Sequence, residues 1–200
     1  QSYQDFDNKC DFIFRVGGDG TFLQSVLNIR NFDIPVMGVN SGRLGFLADI
    51  SEDQVHNALT NIFNHNYSLL ERSMLQVDFS GKENLGFNFA LNEMTVLKTD
   101  TSSMINVYAY LDKELLNNYW ADGLIIATPT GSTAYSLSVG GPILTPDSEN
   151  FVITPLAPHN LTIRPLVVPD NYEIKLKVEG RGTHFLASLD SRSIAVDLST

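Results

Sequence analysis

The chain has 200 residues, 43% of them hydrophobic and 18% charged, with a formal net charge of −10 from 23 acidic and 13 basic residues. That length can bury a sizeable core, and that composition excludes wholesale disorder. The acidic balance argues against a nucleic-acid partner, which needs a basic face, but leaves room for an anionic small ligand held by backbone N–H groups. The single cysteine, Cys10, provides no disulfide framework and no cysteine-based metal site, and suits a reducing cytoplasm. The four histidines show no metal-ligand spacing. No apolar run approaches the roughly 18 residues of a membrane span, and no charged-then-apolar leader is seen, so no membrane association is expected.

In chain order, Phe12-Ile13-Phe14-Arg15-Val16 is a short apolar run stopped by Gly17-Gly18, which predicts a buried strand. From Thr21 the apolar positions Phe22, Leu23, Val26 and Leu27 fall on one helical face. A second apolar run follows from Ile34 to Val39, after Asn31-Phe32-Asp33. Strand, turn, helix and strand make a βαβ unit with a parallel pair. Ser51 with Gln54 resembles a capping box, and Val55, Ala58, Leu59 and Ile62 continue an amphipathic helix. A parallel sheet of two strands is too small to stand alone, so this part is expected to be N-terminally incomplete.

Beyond about residue 67 the texture becomes β-leaning. Met74 to Phe79, Ile105 to Leu111, Leu124 to Ala127, Tyr172 to Val178 and Ser193 to Leu198 are short strand-like runs. Turn residues separate them, among them Ser80-Gly81-Lys82 and Asp112-Lys113. The exception is Ser132 to Val139, which reads as one short helix opened by a loop of small residues. The expected architecture is an α/β part over residues 1–69, followed by an antiparallel β-rich domain over residues 70–200.

Two segments carry the chemistry. In Gly17-Gly18-Asp19-Gly20-Thr21 the glycines let backbone approach a ligand, at the carboxyl end of a strand where open α/β sheets bind. Asp19 is placed to orient a substrate hydroxyl or take its proton. With an ordinary pKa of roughly 3.9 it is a weak base. Phosphoryl transfer mostly needs positioning and charge stabilisation, so a weak base suffices. The plainer reading is a tight turn in which Asp19 caps the helix. The second segment, Thr128-Pro129-Thr130-Gly131-Ser132-Thr133-Ala134-Tyr135-Ser136-Leu137-Ser138, groups small hydroxyl residues at a helix start, where they offer donors to phosphate and ribose.

Lipid kinases share the first segment but carry Asn-Glu soon after it, whereas here Asn92-Glu93 lies far downstream. Ala121-Asp122-Gly123 running through the second segment into Gly140-Gly141-Pro142 closely resembles the NAD kinase signature. So do Asn40-Ser41-Gly42-Arg43-Leu44-Gly45-Phe46-Leu47 and the tail from Phe185 to Asp190. The resemblance implies transfer of the γ-phosphoryl of ATP, or in some members of polyphosphate, to the adenosine 2′-hydroxyl of NAD, with Mg²⁺ or another divalent ion. It implies Asp19 as general base with Gly18 and Gly20 beside the substrate. Asn92 and Glu93 would bind the adenosine, with Thr130 and Thr133 near the adenine. Asp122, Ala134 and Ser138 would hold the nicotinamide end, with Tyr135 and Ala157 lining the site. A homodimer or homotetramer in the cytoplasm is also implied. Read without the resemblance, Asp122 is equally a turn residue, Asn92 a strand-end amide and Tyr135 a core aromatic. Where family members carry basic residues this chain has Gln24 and Trp120, and a D-G-Q type triplet becomes Asp190-Ser191-Arg192. Arg192, Arg164 or a neighbouring subunit's residue are therefore the candidates for holding the dinucleotide phosphates.

Overall fold

In a computed structural model, which describes residues 10–29, 33–42, 45–81, 85–100 and 103–198, the chain divides into two compact units, Gln1–Leu70 and Glu71–Thr200. The first unit runs β1 (Ile13–Val16), α1 (Asp19–Ile29), β2 (Val36–Asn40), β3 (Ile50–Ser51) and α2 (Val55–Phe63). The strands pair in parallel in the order β1-β2-β3. The βαβ unit is therefore present, and a third short strand extends it that apolar patterning did not reveal. Two residues are too few to show a period.

Other expectations for this unit need correction. The strand β1 is not buried throughout: Ile13 is, but Phe14 is 44% and Val16 61% exposed. The helix α1 begins at Asp19 rather than Thr21, because Thr21 and Phe22 both donate their N–H to the Gly18 carbonyl, at 3.0 and 3.1 Å. Gly17 makes the preceding turn with φ +149, and a Cβ there would lie 2.6 Å from Thr21 Oγ1. A larger residue would push α1 off the strand. Ser25 and Ile29, not the predicted apolar face, are the deepest positions of α1. Before α2, Ser51 N–H donates to Gln54 Oε1 at 3.2 Å, across a 3₁₀ turn over Glu52–Gln54. The α2 positions 55, 58, 59 and 62 are half-buried as the period requires, while those between them are exposed. Of the notebook-like loop motif after β2, Arg43 and Leu44 lie outside the described residues, as do Asn31, Phe32 and Lys82.

The second unit is antiparallel. It runs β4 (Leu75–Gln76), β5 (Phe89–Ala90), β6 (Glu93–Lys98), β7 (Ile105–Leu111), β8 (Glu114–Ala121), β9 (Gly123–Ala127), α3 (Tyr135–Ser138), β10 (Asn150–Leu156), β11 (Leu166–Pro169), β12 (Ile174–Glu179), β13 (His184–Leu189) and β14 (Arg192–Asp197). Six strands form one sheet in the order β11-β10-β9-β6-β13-β14. A second sheet, β12-β7-β8, packs on one face of it, burying Val96, Val107, Tyr119, Leu124, Ile126 and Ile153 between the layers. On the opposite face Ile125, Ala127, Val152 and Leu156 are covered by Val139 and Leu144 from the segment after β9.

Several strands were invisible as periodic runs, each for a local reason. β8 carries a bulge opposite Ala109/Tyr110 that breaks its alternation, and Asn117-Asn118 are poor strand formers. β10 contains Pro155, which a central strand ordinarily excludes. It is tolerated because the β11 pairing ends at Ile153↔Leu166 while the β9 pairing continues to Leu156↔Gly123. The Asp112-Lys113 turn is a two-residue hairpin with φ +46 and +77, the mirror-image turn that suits strand twist. Ser132 to Val139 is not one helix. A 3₁₀ turn at Gly131–Thr133 and α3 are split by Ala134, at φ −97 and ψ −127.

Ile153 is fully buried at the centre of the interlayer core. Ile153→Ala should lower the stability of the β-rich unit by about 2–5 kcal/mol in urea titrations, the ordinary cost of a core cavity.

Candidate active site

In the first unit, Asp19 sits at the start of α1, where the turn at the end of β1 delivers it. Its carboxylate does not cap its own helix. Oδ2 accepts the Phe46 N–H at 2.9 Å, and Oδ1 accepts those of Leu47 at 3.0 Å and Ala48 at 3.2 Å. Gly45 leaves the space for this, since a Cβ there would lie 2.2 Å from Asp19 Oδ1. Asn40, buried at the end of β2, fixes both ends of the same loop, accepting the Gly42 N–H at 2.7 Å and donating to the Ala48 carbonyl at 3.3 Å. A carboxylate offers about four acceptor positions, so three bonds leave one on Oδ2. Gly18 and Gly20 are exposed, and a Cβ at either would meet nothing within 4 Å. The unit thus presents a fixed carboxylate with a spare acceptor position beside open space.

In the second unit, Asn92 and Glu93 enter β6 against the Thr128–Gly131 segment. Thr128 donates its N–H to the Asn92 carbonyl at 2.9 Å and its hydroxyl to the Leu91 carbonyl at 2.5 Å. Gly131 crosses so closely that a Cβ would lie 2.0 Å from the Asn92 oxygen. Thr130 is buried, with Oγ1 taking a bond from Arg72 Nη1 at 3.1 Å, and Thr133 Oγ1 donates to the Thr130 carbonyl at 3.2 Å. Ala134 is half-buried. Tyr135 is 41% exposed and so is not the core aromatic the alternative reading allowed, and Ser138 is exposed with Oγ bonded to the Tyr135 carbonyl at 2.7 Å. Most hydroxyls of this segment face inward. Ser132 donates to the Pro129 carbonyl at 2.6 Å and accepts the Leu144 N–H at 3.0 Å, and Ser136 meets Thr154 Oγ1 at 2.8 Å. Their first role is to fold the segment onto the sheet, not to offer donors to a ligand.

Asp122 and Ala157 are brought to each other but not to Asn92. Asp122 forms the bend between β8 and β9, donating its N–H to the Leu156 carbonyl at 2.9 Å, with Oδ1 2.6 Å from Lys98 Nζ. His159 N–H bonds the Trp120 carbonyl at 2.9 Å, so the chain between these two bonds bulges at Ala157, φ +44. Trp120 stacks on His159 with ring centroids 4.3 Å apart. β9 pairs with β6 from Glu93↔Ala127 to Leu97↔Gly123, which puts Asp122 about 16 Å along the strand from Glu93 at ~3.3 Å per residue.

The expectation for Arg192 as a phosphate holder is corrected. Its Nη1 and Nη2 donate to the Phe87 and Phe89 carbonyls, and the guanidinium lies 5.8 Å from the Phe87 ring. Arg164 bonds its own loop through the Leu161 and Ile163 carbonyls. The residue that patterning overlooked is Asp190, whose carboxylate accepts the N–H groups of Leu91, Asn92 and Glu93 at 3.0, 2.8 and 3.2 Å. The only sequence signal was its place in the altered triplet. Among the described residues, no three His, Cys, Asp or Glu converge as a metal site, and no helix is long and apolar enough to cross a membrane.

Glu93 Oε2 is buried and makes no hydrogen bond among the described residues. Burial, and then the charge of Asp190, push its carboxyl from 4.5 up to about 7. The folded state therefore binds this proton more tightly than the unfolded chain. The resulting stability is complete below about pH 4.5 and is lost as pH rises through about 7. Glu93→Gln should abolish that component. The variant should gain about 1–3 kcal/mol on the wild type between pH 5 and pH 8 in urea titrations. Equal pH dependence in the two proteins would refute the assignment.

Two family models match the chain, the ATP-NAD kinase N-terminal domain over residues 2–67 and the ATP-NAD kinase C-terminal domain over residues 91–199. The NAD kinase of Flavobacterium psychrophilum is 52% identical over 197 residues, covering 98% of this chain and 67% of its own. That of Bacteroides fragilis is 48% identical over 184 residues, covering 92% of this chain and 63% of its own. The chain thus spans about two thirds of the length of the curated relatives it matches. Among solved structures, yeast NADH kinase complexed with NADH superposes with TM-score 0.84 at 29% identity, covering 94% of this chain and 55% of that one. An NAD kinase from Archaeoglobus fulgidus in complex with ATP superposes with TM-score 0.80 at 30% identity, covering 95% and 72%. From the turn that carries Asp19 to the hairpin that carries Asp190, this chain belongs to the NAD kinase family.

Proposed function

We propose that the protein transfers the γ-phosphoryl of ATP to the adenosine 2′-hydroxyl of NAD, giving NADP and ADP. The observation that carries this is the Asp19 carboxylate, held by three N–H groups with one acceptor position left on Oδ2 and open space over Gly18 and Gly20. In this reading the 2′-hydroxyl donates to that position. As its oxygen bonds the γ-phosphorus, the bond to the β-phosphate oxygen breaks, ADP departs, and the proton passes to Asp19. The fixed loop supplies the orientation that a weak base requires. Mg²⁺, or another divalent ion, enters with ATP as part of the substrate complex, the phosphate oxygens supplying most of its ligands. Polyphosphate is the alternative donor.

Asn92 and Glu93 bind the adenosine, with Thr130 and Thr133 beside the adenine and Tyr135 lining the site through its exposed ring. Asp122, Ala134, Ser138 and Ala157 serve the nicotinamide end. β9 is buried on both faces and paired on both edges, so no ligand can lie along it from Glu93 to Asp122. That favours a homo-oligomer, a dimer or tetramer, in which a second copy supplies the Asp122 and Ala157 end. A cytoplasmic setting suits the substrates and the lone cysteine.

Incubating the intact protein with NAD, ATP and Mg²⁺ should yield NADP. NAD binding without product would make it a sensor, and phosphorylation of a lipid alcohol without NADP would make it a lipid kinase. Asp19→Asn should lower turnover about 10²–10⁴-fold, the usual worth of a positioned general base. NAD affinity by calorimetry should stay within about threefold, since a base acts on the transition state. Wild-type turnover in that variant would remove Asp19 from this role.

A further inference from the structure

We infer that Asp190 is a positioning residue for NAD: from the tip of the β13–β14 hairpin it clamps the three amides that present Asn92 and Glu93. The inference rests on the proposal that those two side chains bind the adenosine. It adds that their geometry is set by a carboxylate nearly a hundred positions downstream.

The geometry is specific. β13 and β14 pair in register to Leu189↔Arg192, leaving Asp190 and Ser191 as a two-residue turn with Asp190 at φ +51. That left-handed backbone is uncommon for a residue with a side chain, and it turns the carboxylate toward the start of β6. Oδ2 then accepts the Leu91 N–H, and Oδ1 accepts those of Asn92 and Glu93. The Asp190 N–H donates back to the Glu93 carbonyl at 3.0 Å, so the hairpin tip and the Leu91–Glu93 turn are locked in both directions. Arg192, at the base of the same turn, holds the carbonyls of Phe87 and Phe89 just upstream. On the other side Thr128 takes the Leu91 and Asn92 carbonyls, and Gly131 closes against Asn92. All the backbone polar groups of Leu91 and Asn92 are thereby satisfied without their side chains. The Asn92 amide makes no hydrogen bond among the described residues, and Glu93 Oε2 has no partner there either. A brace for stability alone would not need to leave these two side chains unengaged.

Asp190→Asn keeps the shape and one carbonyl oxygen but turns an NH₂ toward the Leu91 N–H, so the clamp loses one bond and gains a donor–donor clash. In the intact protein, with NADP formation as the readout, this variant should raise KM for NAD about tenfold or more and leave KM for ATP within about twofold. Asp190→Glu keeps charge and both acceptors on a longer arm, and should raise KM for NAD about threefold, again with KM for ATP unchanged. Melting curves confirm that each variant is folded. If the asparagine variant does not fold, the glutamate variant decides. A folded variant with wild-type KM for NAD overturns the proposal, as does a parallel rise of both KM values, which marks a general structural defect. If the wild type itself makes no NADP, the kinase reading fails first, and that failure is seen before any variant is compared.

Discussion

The constraint on which the second unit depends is the burial of β9 on both faces. Its five residues are all inaccessible, with Leu124 and Ile126 facing the interlayer core and Ile125 and Ala127 facing the other side. A strand buried on one face only would let the chain leave the sheet after Ala127. Here the second face must be covered, and the covering comes from the residues that follow directly. That demand draws the Thr128 to Leu144 segment back over the sheet, and the inward hydroxyls of Thr128, Ser132 and Ser136 satisfy the backbone and side-chain groups it buries. A buried polar group left without a partner costs more than a made bond returns, so these small residues are required for folding before they serve any ligand.

The same packing brings Gly131 onto the Asn92 carbonyl, and through it the small-residue segment and the Asn-Glu pair become neighbours. Two aspartates then use one device in the two units. Asp19 gathers the amides of Phe46, Leu47 and Ala48, and Asp190 those of Leu91, Asn92 and Glu93. Each is a carboxylate that organises a distant loop through charge-assisted bonds to consecutive N–H groups. Their surroundings differ. Asp19 faces open space at two exposed glycines, whereas Asp190 lies close enough to Glu93 to raise its pKa. One environment suits accepting a proton from an incoming group, the other suits holding a turn.

Where the chain departs from its family's basic positions, the structure replaces charge with packing. Trp120 stacks on His159 at a strand end, and Arg192 is turned inward onto backbone carbonyls. A strongly acidic protein that binds anions with few free cations must rely on oriented amides and on the cation that accompanies the substrate.

What was legible in the sequence was local. The βαβ unit, the α2 face, the β7 and β12 alternations, the Asp112-Lys113 turn and the G-G-D-G-T segment all depend on residues within a few positions of one another. Those signals, with the motif order, were enough to place the family. The tertiary structure decided the rest. β8 and β10 are strands despite asparagines, a bulge and a proline, because neighbouring strands supply partners and burial that outweigh propensity. Arg192 faces inward and Asp190 governs Asn92 because the β13–β14 hairpin lies beside β6, an adjacency between residues 98 positions apart that no local pattern encodes. Periodicity reports which face of an element is buried, whereas only the folded chain reports which polar groups meet there.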